Sequence, residues 1–162
     1  MTLRHREHTW TDPGEIAALA PTTSGLEFLR AMARGEVPQP PIASTLGFRL
    51  VSADPGTVTL IATPAEFQYN AIATVHGGVI ATWADTSIGY AAQTRLPEGS
   101  SLTTLDLQVR YLRPIVEATG EVTITAVTEH AGRRTATASS RITDGAGRLL
   151  ATATSSCLVL PA

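Results

Sequence analysis

The chain contains no lysine: all 12 of its basic residues are arginines. That removes Schiff bases and lysine general bases from the available chemistry. Arginine is left as the only strong anion binder. Cysteine is nearly absent as well, and the single Cys157 excludes an internal disulfide. It sits in a segment that alternates like a strand, with no basic cluster beside it in sequence, so it reads as a core thiol rather than a reactive one. No apolar run approaches the roughly 20 residues that span a bilayer. The opening MTLRHREHTW has charge but no apolar segment behind it, unlike a secretory signal. A net charge of -2 favours neither nucleic acid nor an anionic membrane as partner. The expectation is a cytoplasmic protein, and no motif asks for a metal or an organic cofactor.

What is present suffices for one core: 162 residues, 43% of them hydrophobic. Thr11 or Asp12 before Pro13 marks a helix start. Residues 25–35, GLEFLRAMARG, set Leu26, Leu29 and Met32 at helical spacing and stop at Gly35. The proline-rich VPQPPI that follows predicts an extended connector. From Leu46 short strands are expected, LGFRLVSAD and TVTLIAT, turning at Pro55-Gly56. Residues 64–75 read as a loop. After Gly99 the pattern is strand again. Leu105, Leu107, Val109 and Tyr111 alternate with Asp106, Gln108 and Arg110, and three strands with tight turns at Gly132 and 144–147 predict antiparallel hairpins.

Between the two strand regions lies GGVIATWADTSIGYAAQT, eighteen residues with one charge, Asp85. Length, alanine content and lack of proline suit a helix of roughly five turns. Small or apolar residues occupy nearly every direction around it, so it is expected to be buried all round. A lone carboxylate there is costly unless it is paired, hydrogen-bonded or used in chemistry. At 100° per residue Gly78, Ala81, Gly89 and Ala92 share the Asp85 face, while Ile80, Trp83 and Tyr90 point away. The class is α+β: an antiparallel sheet of about five to six strands against one long helix.

Asn70, His76-Gly77-Gly78 and Asp85, followed by Tyr111-Leu112-Arg113-Pro114, resemble the hotdog-fold acyl-CoA thioesterases of the phenylacetate-degradation type. In that family an asparagine or glutamine stands six positions before the histidine of His-Gly-Gly, and an acid nine positions after it. Both spacings match here. Thr74 departs from the pattern, since the family often has glycine there. The resemblance implies a sheet wrapped around the central helix, in a dimer or tetramer of the same chain. Residues 1–41 would be an N-terminal helical extension with its proline-rich connector, and 42–162 the thioesterase domain.

The resemblance implies thioester hydrolysis as the chemistry. Thioester hydrolysis needs a base or nucleophile, a water, and donors for the developing oxyanion. Gly77 and Gly78 open the helix, where N–H groups are unpaired and no Cβ blocks a close approach. The Gly77 N–H is the expected oxyanion donor, with Gly78 beside it on the substrate. Asp85 is the expected general base or nucleophile. The resemblance implies that Asn70 holds the water or the thioester and that His76 supports the loop. It also implies a helper role for Thr104, although alternation puts Thr104 on the polar face opposite Leu105. Arg110 and Arg113 are candidates for the phosphates of CoA. The segment FLRAMARGEVPQPPI would cover either the acyl pocket or a sheet edge.

Two other readings stay open at this point. A hotdog hydratase or dehydratase pairs a histidine with an acid, but nine residues separate His76 from Asp85. On a straight helix that is half a turn out and about 13 Å apart. A non-catalytic acyl-CoA-binding module would keep the fold without the chemistry.

Overall fold

The computed structural model describes residues 2–20 and 23–160. Met1 and Pro161–Ala162, on which the outer ends of the two expected segments fall, lie outside the described residues, as do Pro21 and Thr22.

The N-terminal part folds into three short helices. Helix α1 (Pro13–Leu19) starts where Asp12 accepts the N–H of Gly14 at 2.8 Å and Pro13 fills the first position. Helix α2 (Gly25–Ala33) is capped by Ser24 and buries Leu29 and Met32. The proline-rich stretch is only partly the extended connector that was expected. Pro41 begins a further helix, α3 (Pro41–Leu46), because a proline in the first helical turn gives up no needed N–H. Leu46 therefore closes a helix rather than opening a strand. Gly47, at φ 66, ends it, and a Cβ there would stand 2.9 Å from Gln68 Nε2.

Six antiparallel strands follow: β1 (Phe48–Asp54), β2 (Thr57–Ala62), β3 (Ser101–Tyr111), β4 (Val122–Ala131), β5 (Thr135–Thr143) and β6 (Leu149–Leu160). Their order in the sheet is β1-β2-β4-β5-β6-β3. The expected hairpins are β4–β5 and β5–β6. Helix α4 (Gly77–Gln93) crosses the inner face and packs on β2 through β6. Trp83 and Ile88 are completely buried there, among Leu60, Ile124 and Ile142. The edge at β1 is covered by α2, whereas β3, with eleven residues, is the last strand on the other side.

Helix α4 is not enclosed on all sides. Val79, Ile80, Trp83, Ala84, Ser87, Ile88, Ala91 and Ala92 are buried. Ala81, Thr82, Asp85, Thr86, Gly89, Tyr90 and Gln93 remain partly exposed, which at 100° per residue is roughly half the circumference. The sheet satisfies one face only. Small residues hid this split from the sequence, since alanine and glycine suit either side.

Candidate active site

The loop from Thr63 to His76 is fastened by a buried amide. Gln68 Nε2 donates to Leu46 O at 2.9 Å, its Oε1 accepts from Ala65 N at 3.0 Å, and its own carbonyl accepts from His76 N at 2.8 Å. Within that loop Asn70 builds a turn: Oδ1 accepts from Ile72 N and Thr74 N, while Nδ2 donates to Thr74 Oγ1 at 2.9 Å. Thr74 thus has a use of its own, and the positive φ of this loop falls on Ala73 at 59°.

His76 is the N-cap of α4. Its Nδ1 accepts the Gly78 N–H at 2.9 Å, and its carbonyl accepts from Val79 N and Ile80 N. The Gly77 N–H has no partner among the described residues. Tyr111 leans over it: its hydroxyl donates to Gly77 O at 2.9 Å, and a Cβ on Gly77 would meet that ring at 3.2 Å. In the sequence Tyr111 stands out only as a strand residue and as part of a family phrase. Its contact with Gly77 spans 34 residues, so no local pattern shows it.

Two turns further along α4, Asp85 is half-buried, and its Oδ1 accepts from Thr104 Oγ1 at 2.8 Å. The expectation that Thr104 faces the polar side is corrected. The β3–β6 register shifts between Thr104 and Asp106, so Leu105 bulges out, 57% exposed. The bulge resets the alternation: Leu102 and Thr104 face the helix together with Leu107 and Val109. No ion pair involves Asp85 among the described residues. An arginine is therefore not what holds this carboxylate.

Asp85 and Thr104 lie on the wall of a cavity of about 700 Å³. Ala17 and Ala20 from the first helical segment roof it, with Phe28 and Leu29 from α2 and Pro40 and Ile42 from the α3 approach. The N-terminal segment thus covers the β1 edge, one of the two expected alternatives, and also lines this cavity. Tyr90 also lines this cavity, against the expectation that it points away from Asp85. Burial pushes its hydroxyl up to about 12, so it stays a hydrogen-bond donor at neutral pH. Ala92, expected in the open lane, is fully buried.

Gly77 and Asn70 do not share that cavity. They line a second one, of about 370 Å³, with Tyr111, Arg113 and Ile80. The Arg113 guanidinium donates to Leu149 O. His76, Gly78 and Arg110 line neither cavity, and Arg110 is exposed on the sheet opposite Thr152. So one chain brings Asp85 to Thr104, and Gly77 to Asn70 and Arg113, but keeps the two groups apart. Cys157, paired with Thr104 across β3–β6, is buried, and burial together with the Asp85 and Asp106 carboxylates pushes its thiol up. Among the described residues no three His, Cys, Asp or Glu side chains are grouped to hold a metal, and no helix is long and apolar enough to cross a membrane.

Comparison with known proteins decides the family. Residues 73–151, from the Asn70 loop through α4 into β6, match the thioesterase superfamily. Residues 73–151 carry the thioesterase-superfamily match, on a sheet and helix of the hotdog fold. Its reaction class is thioester hydrolysis. Among solved structures, a phenylacetic acid degradation-related protein from Ralstonia eutropha JMP134 is 29% identical, with a TM-score of 0.72 over 80% of this chain and 98% of that one. The E. coli PaaI protein, from the phenylacetic acid degradation operon, superposes with a TM-score of 0.72 at 24% identity, over 85% and 95% of the two chains. A thioesterase family protein from Silicibacter pomeroyi does so with 0.73 at 24% identity, over 83% and 99%. No curated protein sequence matches. The hotdog sheet-and-helix arrangement and the thioesterase type expected from Asn70, His76-Gly77-Gly78 and Asp85 are therefore both found.

Proposed function

We propose that this chain is an acyl-CoA thioesterase whose active site is completed by a second copy of itself. The observation that carries the reading is the Asp85–Thr104 pair, half-buried on the wall of a large cavity with no cation beside it. A carboxylate so held is available either to take a proton from water or to attack the thioester carbonyl itself. As a base, Asp85 accepts a proton from water while the water oxygen bonds to the carbonyl carbon. The C–S bond then breaks, and the proton passes to the departing CoA sulfur. The oxyanion formed in between needs a donor, and the unpaired Gly77 N–H at the start of α4 is suited to it.

Gly77 opens on a different cavity from Asp85, so the donor that serves Asp85 would come from a partner subunit. The long β3 edge, the exposed Leu105 and Tyr111 beside it, and the half-open face of α4 give such a partner a surface to cover. Asn70 would hold the water or thioester from the same side as Gly77. Arg113, on the Gly77 cavity wall, is better placed than Arg110 for an anionic group of CoA. The hydratase reading loses support because the His76 imidazole is engaged in capping α4 and lines neither cavity.

The test is a panel of acyl-CoAs and one enoyl-CoA, with free thiol and hydration both followed, alongside sedimentation of the protein. Thiol release by a dimer or tetramer is the expected result. Hydration of the enoyl-CoA without thiol release would assign the site to the hydratases. Binding without either reaction would make it a carrier module.

A further inference from the structure

The half-open face of α4 is floored in one place by no side chain at all. Asp85, Gly89 and Gln93 are one turn apart on the same stripe, and all three line the 700 Å³ cavity with Thr86 and Tyr90 beside them. From Asp85 to Gln93 the helix rises about 12 Å. Gly89, halfway along, leaves the floor open, and its missing Cβ would meet only Leu102 Cδ1 at 3.7 Å. Beyond it the trench ends where Gln93 Nε2 donates to Ser100 O at 2.9 Å.

The lining of this trench states what it can take. Ala17, Phe28, Ile42 and Leu102 supply apolar walls, and none of the residues around it is a histidine or an arginine. Its one charge is the Asp85 carboxylate, which repels phosphate. The CoA moiety, with its phosphates, does not suit it, and Arg113 lies in the other cavity. An uncharged acyl group does suit it, because burying apolar surface against these walls is favourable, and the polar residues beside them, among them Thr86, Ser101 and Thr103, carry no charge.

We propose that the acyl group lies in this trench, running from Asp85 past Gly89 towards Gln93 under the roof of α1–α3, and that Gly89 sets which acyl lengths are accepted. The inference rests on the reading of Asp85 as the reacting carboxylate. Acyl groups of medium length, such as octanoyl or an arylalkanoyl chain, fill the trench. Acetyl leaves most of it empty, and palmitoyl overruns the Gln93–Ser100 end.

Two substitutions narrow the trench while leaving the Asp85 and Thr104 side chains themselves in place. Gly89→Leu fills it from the floor, where the contact with Leu102 is ordinary van der Waals distance. Ala17→Trp fills it from the roof, at an exposed position on α1 whose packing imposes little on folding. The measurement is kcat/KM for thiol release from acetyl-, octanoyl- and palmitoyl-CoA, with melting temperature as the check of fold. The native chain is expected to favour octanoyl. In Gly89→Leu the octanoyl-to-acetyl ratio falls about tenfold or more, with Gly89→Ala between. If Gly89→Leu does not fold, Ala17→Trp gives the same comparison and the same expected fall. A ratio that stays within about twofold of native in either folded variant overturns the trench, even with hydrolysis intact.

If the native chain releases no thiol from any of these, calorimetric binding of the uncharged octanamide decides. Binding by the native chain that is lost in Gly89→Leu keeps the trench and removes the hydrolysis. Octanamide bound by neither, or equally by both, overturns the trench itself.

Discussion

Thr104 and Asp85 meet across the strand–helix interface, the hydroxyl donating to the carboxylate at 2.8 Å, and the bulge at Leu105 is what makes the meeting possible. Removing the hydroxyl leaves Asp85 without its one side-chain partner among the described residues. For Thr104→Val, kcat is expected to fall about tenfold, the order of one hydrogen bond to a charged group, while Thr104→Ser restores it. If Thr104→Val lowered only the melting temperature and left kcat unchanged, the hydroxyl would merely tie β3 to α4.

His76 caps α4 through Nδ1, a task that needs an acceptor rather than an imidazole. His76→Ala is expected to cost about 1 kcal/mol, or about 2–4 °C of melting temperature in a chain of this size. His76→Asn, which keeps a good cap, retains both the stability and the turnover. Stopped-assay rates of the two variants check this. An asparagine variant as inactive as one lacking Asp85 would show that the imidazole does chemistry.

Asp144 holds the β5–β6 turn. Its Oδ2 takes the Arg148 Nε at 2.7 Å, and its Oδ1 accepts from Ala146 N and Arg148 N. The Arg148 guanidinium beside it, then these backbone donors, keep its carboxyl below the ordinary value of 3.8. A carboxyl with a lower folded than unfolded pKa stabilises the fold above the unfolded value, and that contribution is lost as pH falls through the folded one. Asp144→Asn is therefore expected to melt below the native chain at neutral pH, with the gap closing below about pH 4. Thermal melts across that range test it, and a gap unchanged at low pH would contradict it.

Much of this was legible in the sequence. The Asp12-Pro13 helix start, the hairpin turns and the boundaries of α4 come from local capping and turn chemistry, which neighbouring residues alone decide. The burial of α4 did not come through, because alanine and glycine fit a core, a cavity wall or an interface equally well. Alternation alone puts Thr104 on the wrong face for a different reason. One bulged residue inverts the alternation, and nothing in SLTTLDLQVRY marks Leu105 as the extra one. The α3 helix hid behind prolines that read as extended until Pro41 took the first turn. The contact of Tyr111 with Gly77 and the roof of Ala17 and Ala20 over Asp85 join distant parts of the chain. Such contacts exist only once the sheet has formed.

The central claim is that the Asp85 carboxylate performs the hydrolysis, and Asp85→Asn tests it with almost no change of shape. Free-thiol release is measured for both proteins on the best acyl-CoA of the panel, with oligomeric state and melting temperature matched. The expected result is a fall in kcat of about a thousandfold or more, the scale at which an acid–base or nucleophilic group is lost. Turnover within about tenfold of native, in a folded protein of the same assembly, would contradict it.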